Sequence, residues 1–108
     1  MFDLDYEINF SETELDVVTV GELLADIIST KLVPSFKEAE QFDRYFGGSP
    51  ANISMNVSNL GANSALITKV GADGLGDYLK EKLITGGVEV SGVDNKKKHN
   101  TSIVLVTQ

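Results

Sequence analysis

The strongest structural signal in the sequence is Gly47-Gly48-Ser49-Pro50-Ala51-Asn52-Ile53-Ser54. Its two glycines allow a close backbone approach that a Cβ atom would block. The next two residues predict the start of a helix, because a serine side chain can accept a hydrogen bond from a free N-terminal amide and proline is tolerated at the first helical position. A helix is therefore expected to follow the paired glycines directly.

Two helices are predicted from apolar residues at helical spacing. Ile53, Val57 and Leu60 share one face of the first helix, and Gly61 suits the left-handed residue that follows its last turn. The second helix is predicted from three leucines and two terminating glycines, Leu75, Leu79, Leu83, Gly86 and Gly87. The glycines mark the expected helix ends.

Apolar segments around these helices predict β-strands. Residues 17–20 form a β-branched run that ends at Gly21, as is typical of a strand buried on both faces of a parallel sheet. The other predicted strands are 27–33, 42–46, 65–70, 88–93 and 102–107. The alternation of strands and helices predicts an α/β protein with a mainly parallel sheet, and the strands near 27–33 and 42–46 are expected to form a small separate sheet.

Acidic residues are concentrated at the N-terminus. The formal net charge is -7, and six of the sixteen acids lie within the first sixteen positions. Residues 1–15 are interpreted as an acidic leader or an extra strand, since apolar and polar residues alternate from Phe2 to Phe10. The single basic run, Lys96 to Lys98, is typical of a solvated loop, so nucleic acid is not an expected partner.

Composition also excludes several classes of site. The chain has no cysteine and a single histidine, His99, so disulfides, thiolate nucleophiles and zinc sites are not expected, and no metal site is predicted. There is no run of about 20 apolar residues, so a membrane is not an expected partner. The first ten residues carry acids where a secretory signal would carry bases, so the expected compartment is the cytoplasm.

Candidate binding residues follow the first predicted strand and the paired glycines. Open α/β sheets bind ligands beyond the carboxyl ends of their strands, where Glu22 and Asp26 are expected. A carboxylate there could accept hydrogen bonds from a polyol, although both residues could equally be ordinary solvated acids. Asn52 offers a donor and an acceptor near the positive helix end, or it could cap its own helix, with Gly47 and Gly48 forming only a tight turn.

The glycines at 71, 74 and 76 follow a strand and open a helix, as in a dinucleotide site. Their spacing is the reverse of G-x-G-x-x-G, however, and no acid follows at the end of the next strand. We therefore interpret Gly71, Gly74 and Gly76 as a connecting turn.

The segment 47–54, together with Gly61 and Gly71, resembles the N-terminal signature of the PfkB, or ribokinase-like, carbohydrate kinases. The resemblance extends over residues 16–108. It implies the N-terminal part of an α/β, Rossmann-like domain, with the C-terminal half missing, and a small β-sheet lid. The lid strands would lie near 27–33, 42–46 and 101–107, and the lid is implied to form a homodimer contact.

The resemblance also implies an ATP-dependent sugar kinase, with a fructokinase-like enzyme favoured. Four residues are implied to hold sugar hydroxyls, and two more to line the sugar: Asp26, Gly47, Gly48 and Asn52, then Ser102 and Val104. ATP and Mg²⁺ are the implied cofactors, bound mainly by the C-terminal part. The second family signature, with its anion-binding turn and catalytic base, has no counterpart here, so no catalytic residue is expected in this chain and the 108 residues alone are expected to be inactive.

Two alternatives stay open. The chain could be a non-catalytic carbohydrate-binding or self-associating module that uses exposed strand edges. It could also be a small nucleotide-binding domain built on residues 71–76. The sequence does not identify the sugar, and ribokinase-, ketodeoxygluconate kinase- and nucleoside kinase-like specificities remain possible.

Overall fold

A computed structural model of the protein describes residues 13–108. This part contains eight elements of secondary structure, and most of the predicted leader, residues 1–15, lies outside it. In chain order the elements are β1 (Val17–Val20), β2 (Leu24–Ser29), β3 (Phe42–Gly47), α1 (Ser49–Asn59), β4 (Ser64–Gly71), α2 (Gly74–Thr85), β5 (Val93–Lys96) and β6 (Ile103–Val106). Neither helix of the described part is long and apolar enough to cross a membrane.

The main sheet is parallel and has the strand order β1-β4-β5. Val20 at the end of β1 lies opposite Ile67 of β4, and Gly71 at the end of β4 lies opposite Lys96 of β5. Each helix follows a strand: α1 follows β3, and α2 follows β4. The predicted α/β architecture with a parallel sheet is therefore confirmed.

The small sheet consists of the other three strands in the order β3-β2-β6. Strand β2 runs antiparallel to β3 and parallel to β6. It begins at Leu24, before the predicted start at residue 27, because Leu24 pairs with Gly47 and so extends the ladder toward β1. It ends at Ser29, so the predicted continuation to residue 33 is wrong.

One hydrophobic core joins both sheets. Its buried apolar residues are Leu23, Ala25, Ala51, Leu66, Val70, Leu79, Leu83, Val88 and Val93. The two helices therefore cover the face of the main sheet that carries Leu66 and Val70, while Ala25 brings the small sheet into the same core. The opposite face is open in the described part, with Val20 70% and Ile67 48% exposed, so the expectation that the first strand is buried on both faces is wrong.

Strand β5 begins at Val93, at the end of the segment predicted as a strand. A turn at Ser91 and Gly92 interrupts that segment: the Ser91 amide donates to the Glu89 carboxylate at 2.9 Å, and the Val93 amide donates to the Val90 carbonyl at 3.0 Å. Lys96 consequently lies in a strand instead of the predicted loop.

Candidate functional site

Asp26 lies inside β2, in the small sheet, and not directly after the first strand as expected. Tyr45 of β3 and Val104 of β6 are its partners on either side. Partners in register point to the same face of a sheet, so these two side chains flank the half-buried Asp26. The carboxylate thus lies on the face of the small sheet shared with Val104.

Gly47 leaves the space that the Asp26 carboxyl group occupies. A Cβ atom on Gly47 would lie 2.8 Å from Asp26 Cγ and 2.8 Å from Leu24 Cδ1. Real Cβ atoms do not approach other atoms so closely, so any side chain at position 47 would displace Asp26 or Leu24. The sequence predicted that the backbone at Gly47 comes close to another group, and in the structure that group is the Asp26 side chain.

Gly48 occupies the position immediately before α1 and has φ of +109°, a conformation that residues with side chains rarely adopt. A Cβ atom there would also collide with the carbonyl oxygen of Glu22. The paired glycines therefore do more than form a tight turn. They let the end of β3 pass close to both β2 and the segment that follows β1.

Helix α1 begins at Ser49, so the expectation that Ser49 caps the helix is wrong: the capping position belongs to Gly48, and no side chain caps the helix start. Pro50 lies in the first turn as predicted. The Asn52 amide donates to the Gly48 carbonyl at 2.9 Å, while the Asn52 side chain is exposed. Asn52 therefore does not cap its own helix, and its side chain is available at the helix start.

Ser102 and Val104 lie on the same face of the small sheet as Asp26. Val104 is the register partner of Asp26, and Ser102 precedes it by two residues, which returns a side chain to the same face. The Ser102 carbonyl accepts a hydrogen bond from the Ala25 amide at 3.0 Å. The structure thus brings Asp26, Gly47, Ser102 and Val104 together on one face.

Two adjoining cavities lie between the carboxyl end of the main sheet and Ser102. The larger, of about 490 Å³, is lined by Glu22, Lys69, Asp94 and Ser102 among others. The smaller, of about 360 Å³, shares Lys69 and Ser102 with it. Asp26, Gly47, Gly48 and Asn52 line neither of these cavities; together with Ser102 and Val104 they are the candidate surface predicted for the sugar, in which Gly47 is buried, Asp26 is half-buried and Asn52 is exposed.

Sequence reasoning missed a hydrogen-bonded contact between Asp73 and Thr101, which joins the start of α2 to the residue before Ser102. Asp73 caps α2 by accepting from the Gly76 amide at 2.8 Å. It also accepts from the Thr101 amide at 2.8 Å and from the Thr101 hydroxyl at 2.6 Å. The Thr101 hydroxyl, followed by the Thr101 and Gly76 amides, lowers the pKa of Asp73.

The glycine-rich segment after β4 is the connecting turn that the sequence predicts, but it also packs against Thr101. The Gly71 amide donates to Thr101 Oγ1 at 3.0 Å, and a Cβ atom on Gly76 would meet the same oxygen at 3.0 Å. An aspartate directly before a helix could have indicated the cap. No local pattern indicates Thr101, because it lies 28 residues from Asp73.

The chemistry available on this surface is recognition of hydroxyl groups. An ionised carboxylate accepts hydrogen bonds strongly, and an amide side chain both donates and accepts. Among residues 13–108 no group of three or more His, Cys, Asp or Glu side chains could hold a metal ion.

Comparisons with known proteins identify the family. Residues 14–108 match the pfkB family of carbohydrate kinases. The whole chain is 44% identical to an ATP-dependent 6-phosphofructokinase of Thermoanaerobacterium thermosaccharolyticum and covers 33% of it. The fructokinase structure from Halothermothrix orenii matches with a TM-score of 0.82 and 45% identity over 86% of this chain and 34% of that one.

A sugar kinase from Pyrococcus horikoshii, solved in complex with ATP, matches with a TM-score of 0.80 and 41% identity over 83% of this chain and 30% of that one. The chain thus spans about a third of the length of these relatives. The match covers nearly all of the described residues and includes the paired glycines and the helix after them. The chain therefore belongs to the pfkB family of carbohydrate kinases.

Proposed function

We propose that this chain forms the sugar-binding part of an ATP-dependent kinase that phosphorylates a hydroxyl group of fructose or a related sugar. The observation that carries the proposal is the Asp26 carboxyl group beside Gly47, in a space that no side chain at position 47 could share. The similarity to a fructokinase and to a 6-phosphofructokinase supports the sugar class.

Each residue of the surface has a distinct role in this proposal. Asp26 accepts hydrogen bonds from sugar hydroxyls, and an ionised acceptor makes such bonds roughly twice as strong as neutral ones. Gly47 leaves room for the Asp26 carboxyl group and Gly48 lets the start of α1 lie against the Glu22 carbonyl, and Asn52 adds a donor and an acceptor at the helix start. Ser102 and Val104, on the same sheet face as Asp26, line the flank of the sugar.

ATP and Mg²⁺ bind mainly to residues outside these 108 in this proposal. Phosphoryl transfer depends on positioning and on electrostatic stabilisation of the transferring group. Hydroxyl recognition alone supplies neither, so the 108-residue chain by itself should leave fructose unphosphorylated. The whole protein would act in the cytoplasm.

The small sheet is the lid over the sugar in this proposal, and residues 16–108 are the N-terminal part of the kinase domain. Strand β6 lies at the edge of the small sheet and exposes apolar side chains, including Ile103 at 49% and Leu105 at 53%. Exposed apolar edge strands favour pairing with another chain. We therefore propose a homodimer contact through β6.

The same observation supports a second candidate, a non-catalytic self-associating module. Besides β6, the open face of the main sheet exposes Val18, Val20 and Ile67. Exposed apolar patches of this kind favour association. The two candidates differ in sugar recognition, which only the first requires.

The substitution Asp26→Asn in the complete product of the gene tests the first candidate. A hydrogen bond to a charged group contributes about 1.5 to 3 kcal/mol, so the KM for fructose should rise about tenfold to a hundredfold. The matched control is Asp43→Asn, because Asp43 is exposed on β3 in the same sheet. An unchanged KM in the Asp26→Asn enzyme would refute the assignment.

A further inference from the structure

The Arg44 side chain of β3 joins the small sheet to α2. Its guanidinium carbon lies 3.7 Å from the centroid of the Tyr78 ring, which belongs to α2. Arginine is attracted to an aromatic face by its charge and stacks on it through its planar group. Tyr78 is half-buried and packs against the hydrophobic core, so the ring is held in place beneath the guanidinium group.

A second cation over the same ring does not join separate elements. Lys82 lies in the last turn of α2 itself, and its ammonium group is 5.8 Å from the centroid of the Tyr78 ring. The attraction between a cation and an aromatic face extends to about 6 Å, so Lys82 lies at the limit of this range. Of the two cations, Arg44 is the one that connects the ring to another part of the fold.

Strand register places Arg44 on the face of the small sheet opposite to Asp26. Arg44 is the partner of Ile27, which packs against the core, while the next residue, Tyr45, is the partner of Asp26. Successive side chains of a strand point to opposite faces of the sheet. The contact with Tyr78 therefore lies on the back of the surface that presents Asp26.

Strands β2 and β3 are expected to move together, since six consecutive residue pairs join them. The hydrogen bonds of such a ladder hold neighbouring strands about 4.8 Å apart, so a shift of β3 carries β2 with it. Core packing holds the base of the two strands, where Ala25 and Phe46 are partners, and it extends along β2 to Ile27. Arg44, the partner of Ile27, is exposed, and its stacking on Tyr78 supplies the corresponding support to β3.

Helix α2 also anchors the opposite edge of the small sheet. Asp73, directly before α2, accepts hydrogen bonds from the Thr101 amide and hydroxyl, and Thr101 lies two residues before β6. Strands β3 and β6 are the two edge strands of this sheet. An anchor at one edge leaves a sheet able to rotate about that edge, whereas anchors at both edges fix its orientation relative to α2.

We infer that Arg44 is a positioning residue for sugar binding: by stacking on Tyr78 it fixes the small sheet against α2, and so it sets where the Asp26 carboxylate meets the sugar. This inference rests on the proposed function. A residue that positions a binding group affects the binding of the sugar and not the later transfer step. Loss of the contact should therefore raise the KM for fructose at an unchanged kcat, whereas a loss of folded enzyme alone would lower kcat at an unchanged KM.

The test measures phosphorylation of fructose by the complete product of the gene. In Arg44→Gln and in Tyr78→Leu the KM for fructose should rise about twofold to fivefold, the effect of one exposed cation–π contact. Arg44→Lys keeps the cation and Tyr78→Phe keeps the aromatic ring, so each should restore much of the affinity. Lys82→Gln is the matched control, because it removes a cation from the same ring but not from the small sheet, and its KM should equal that of the wild type.

Combined variants show through which groups Arg44 acts. If the two side chains form one functional contact, Arg44→Gln/Tyr78→Leu should have a KM no higher than that of either single variant. If Arg44 acts through Asp26, the substitution Arg44→Gln should add little to the KM of the Asp26→Asn enzyme. Fully additive effects in both combinations would contradict the inference.

The outcomes separate this inference from the proposed function. An Arg44→Gln enzyme with a wild-type KM, with or without a lower kcat, would overturn the inference, and so would equal effects of Arg44→Gln and Lys82→Gln on KM. If Asp26→Asn raises the KM in the same assay, the proposed function stands and only the inference is wrong. If Asp26→Asn leaves the KM unchanged, the proposed role of Asp26 fails and the inference fails with it.

Discussion

Thr19 of β1 and Ser54 of α1 are in contact through their hydroxyl oxygens. The Thr19 hydroxyl also donates to the Pro50 carbonyl at 2.9 Å, and the Ser54 hydroxyl also lies within hydrogen-bonding distance of the Ala65 carbonyl, at 3.2 Å. Ser54 is completely buried. This polar contact holds the first turn of α1 against β1 and β4, and it therefore fixes the position of the paired glycines and of Asn52.

Removing the Ser54 hydroxyl should destabilise the protein. In Ser54→Ala the Thr19 hydroxyl and the Ala65 carbonyl lose a partner in a buried site, which costs about 1 to 3 kcal/mol of unfolding free energy. Urea unfolding followed by circular dichroism measures the loss. Ser49→Ala is the control, because Ser49 is exposed and does not cap the helix. Equal midpoints for the two variants would contradict this account.

A methyl group at position 47 should disturb Asp26. In Gly47→Ala the new Cβ atom would meet Asp26 Cγ and Leu24 Cδ1 at 2.8 Å, so both side chains must move. Overpacking of this kind costs about 1 to 3 kcal/mol, and sugar binding should weaken as well. Gly74→Ala is the matched control, since a Cβ atom on Gly74 would meet no neighbouring group within 4 Å. Calorimetric titration with fructose measures the binding, and equal affinities of the two variants for fructose would contradict the prediction.

The contact between Asp73 and Thr101 should make stability depend on pH. The pKa of Asp73 is lowered in the folded state, so its ionised form stabilises the fold above the ordinary value of 3.8, and this contribution is lost as the pH falls through the folded-state pKa. Wild-type protein should therefore lose stability below about pH 4 more steeply than Asp73→Asn. Urea midpoints at neutral and acidic pH measure the difference.

The control for this prediction is Asp77→Asn, which removes a carboxylate from the first turn of the same helix. It measures how much of the effect comes from removing any carboxylate at this helix start. If the stability of Asp73→Asn depends on pH as that of the wild type does, the hydrogen bonds to Thr101 do not contribute to acid stability.

Local signals in the sequence predicted much of the fold. Gly61 and Gly87 follow the two helices with φ of +93° and +83°, as the glycine pattern indicates, because a helix end depends on one or two neighbouring residues. The start of β2 at Leu24 could not be predicted in this way. It depends on pairing with Gly47, which lies far along the chain.

The candidate surface was predicted through the family resemblance more than through residue patterns. From spacing alone, Asp26 could be an ordinary solvated acid and Asn52 could cap its own helix. The structure excludes the capping role of Asn52. The cavity lined by Lys69 and Lys96 was not predicted, because these residues come together only through the register of β4 with β5. The run from Lys96 to Lys98 looked like a solvated loop, since sequence reasoning placed the preceding strand too early.

A charge on the edge strand of the small sheet should prevent self-association. Leu105 is 53% exposed on β6, and a lysine on an edge strand opposes pairing with another chain. Sedimentation velocity at increasing concentration should give a dissociation constant about tenfold or more higher for Leu105→Lys than for the wild type. Leu60→Lys is the matched control, because Leu60 is 87% exposed at the end of α1. A wild-type protein that remains monomeric, or an equal effect of both substitutions, would exclude β6 as the contact.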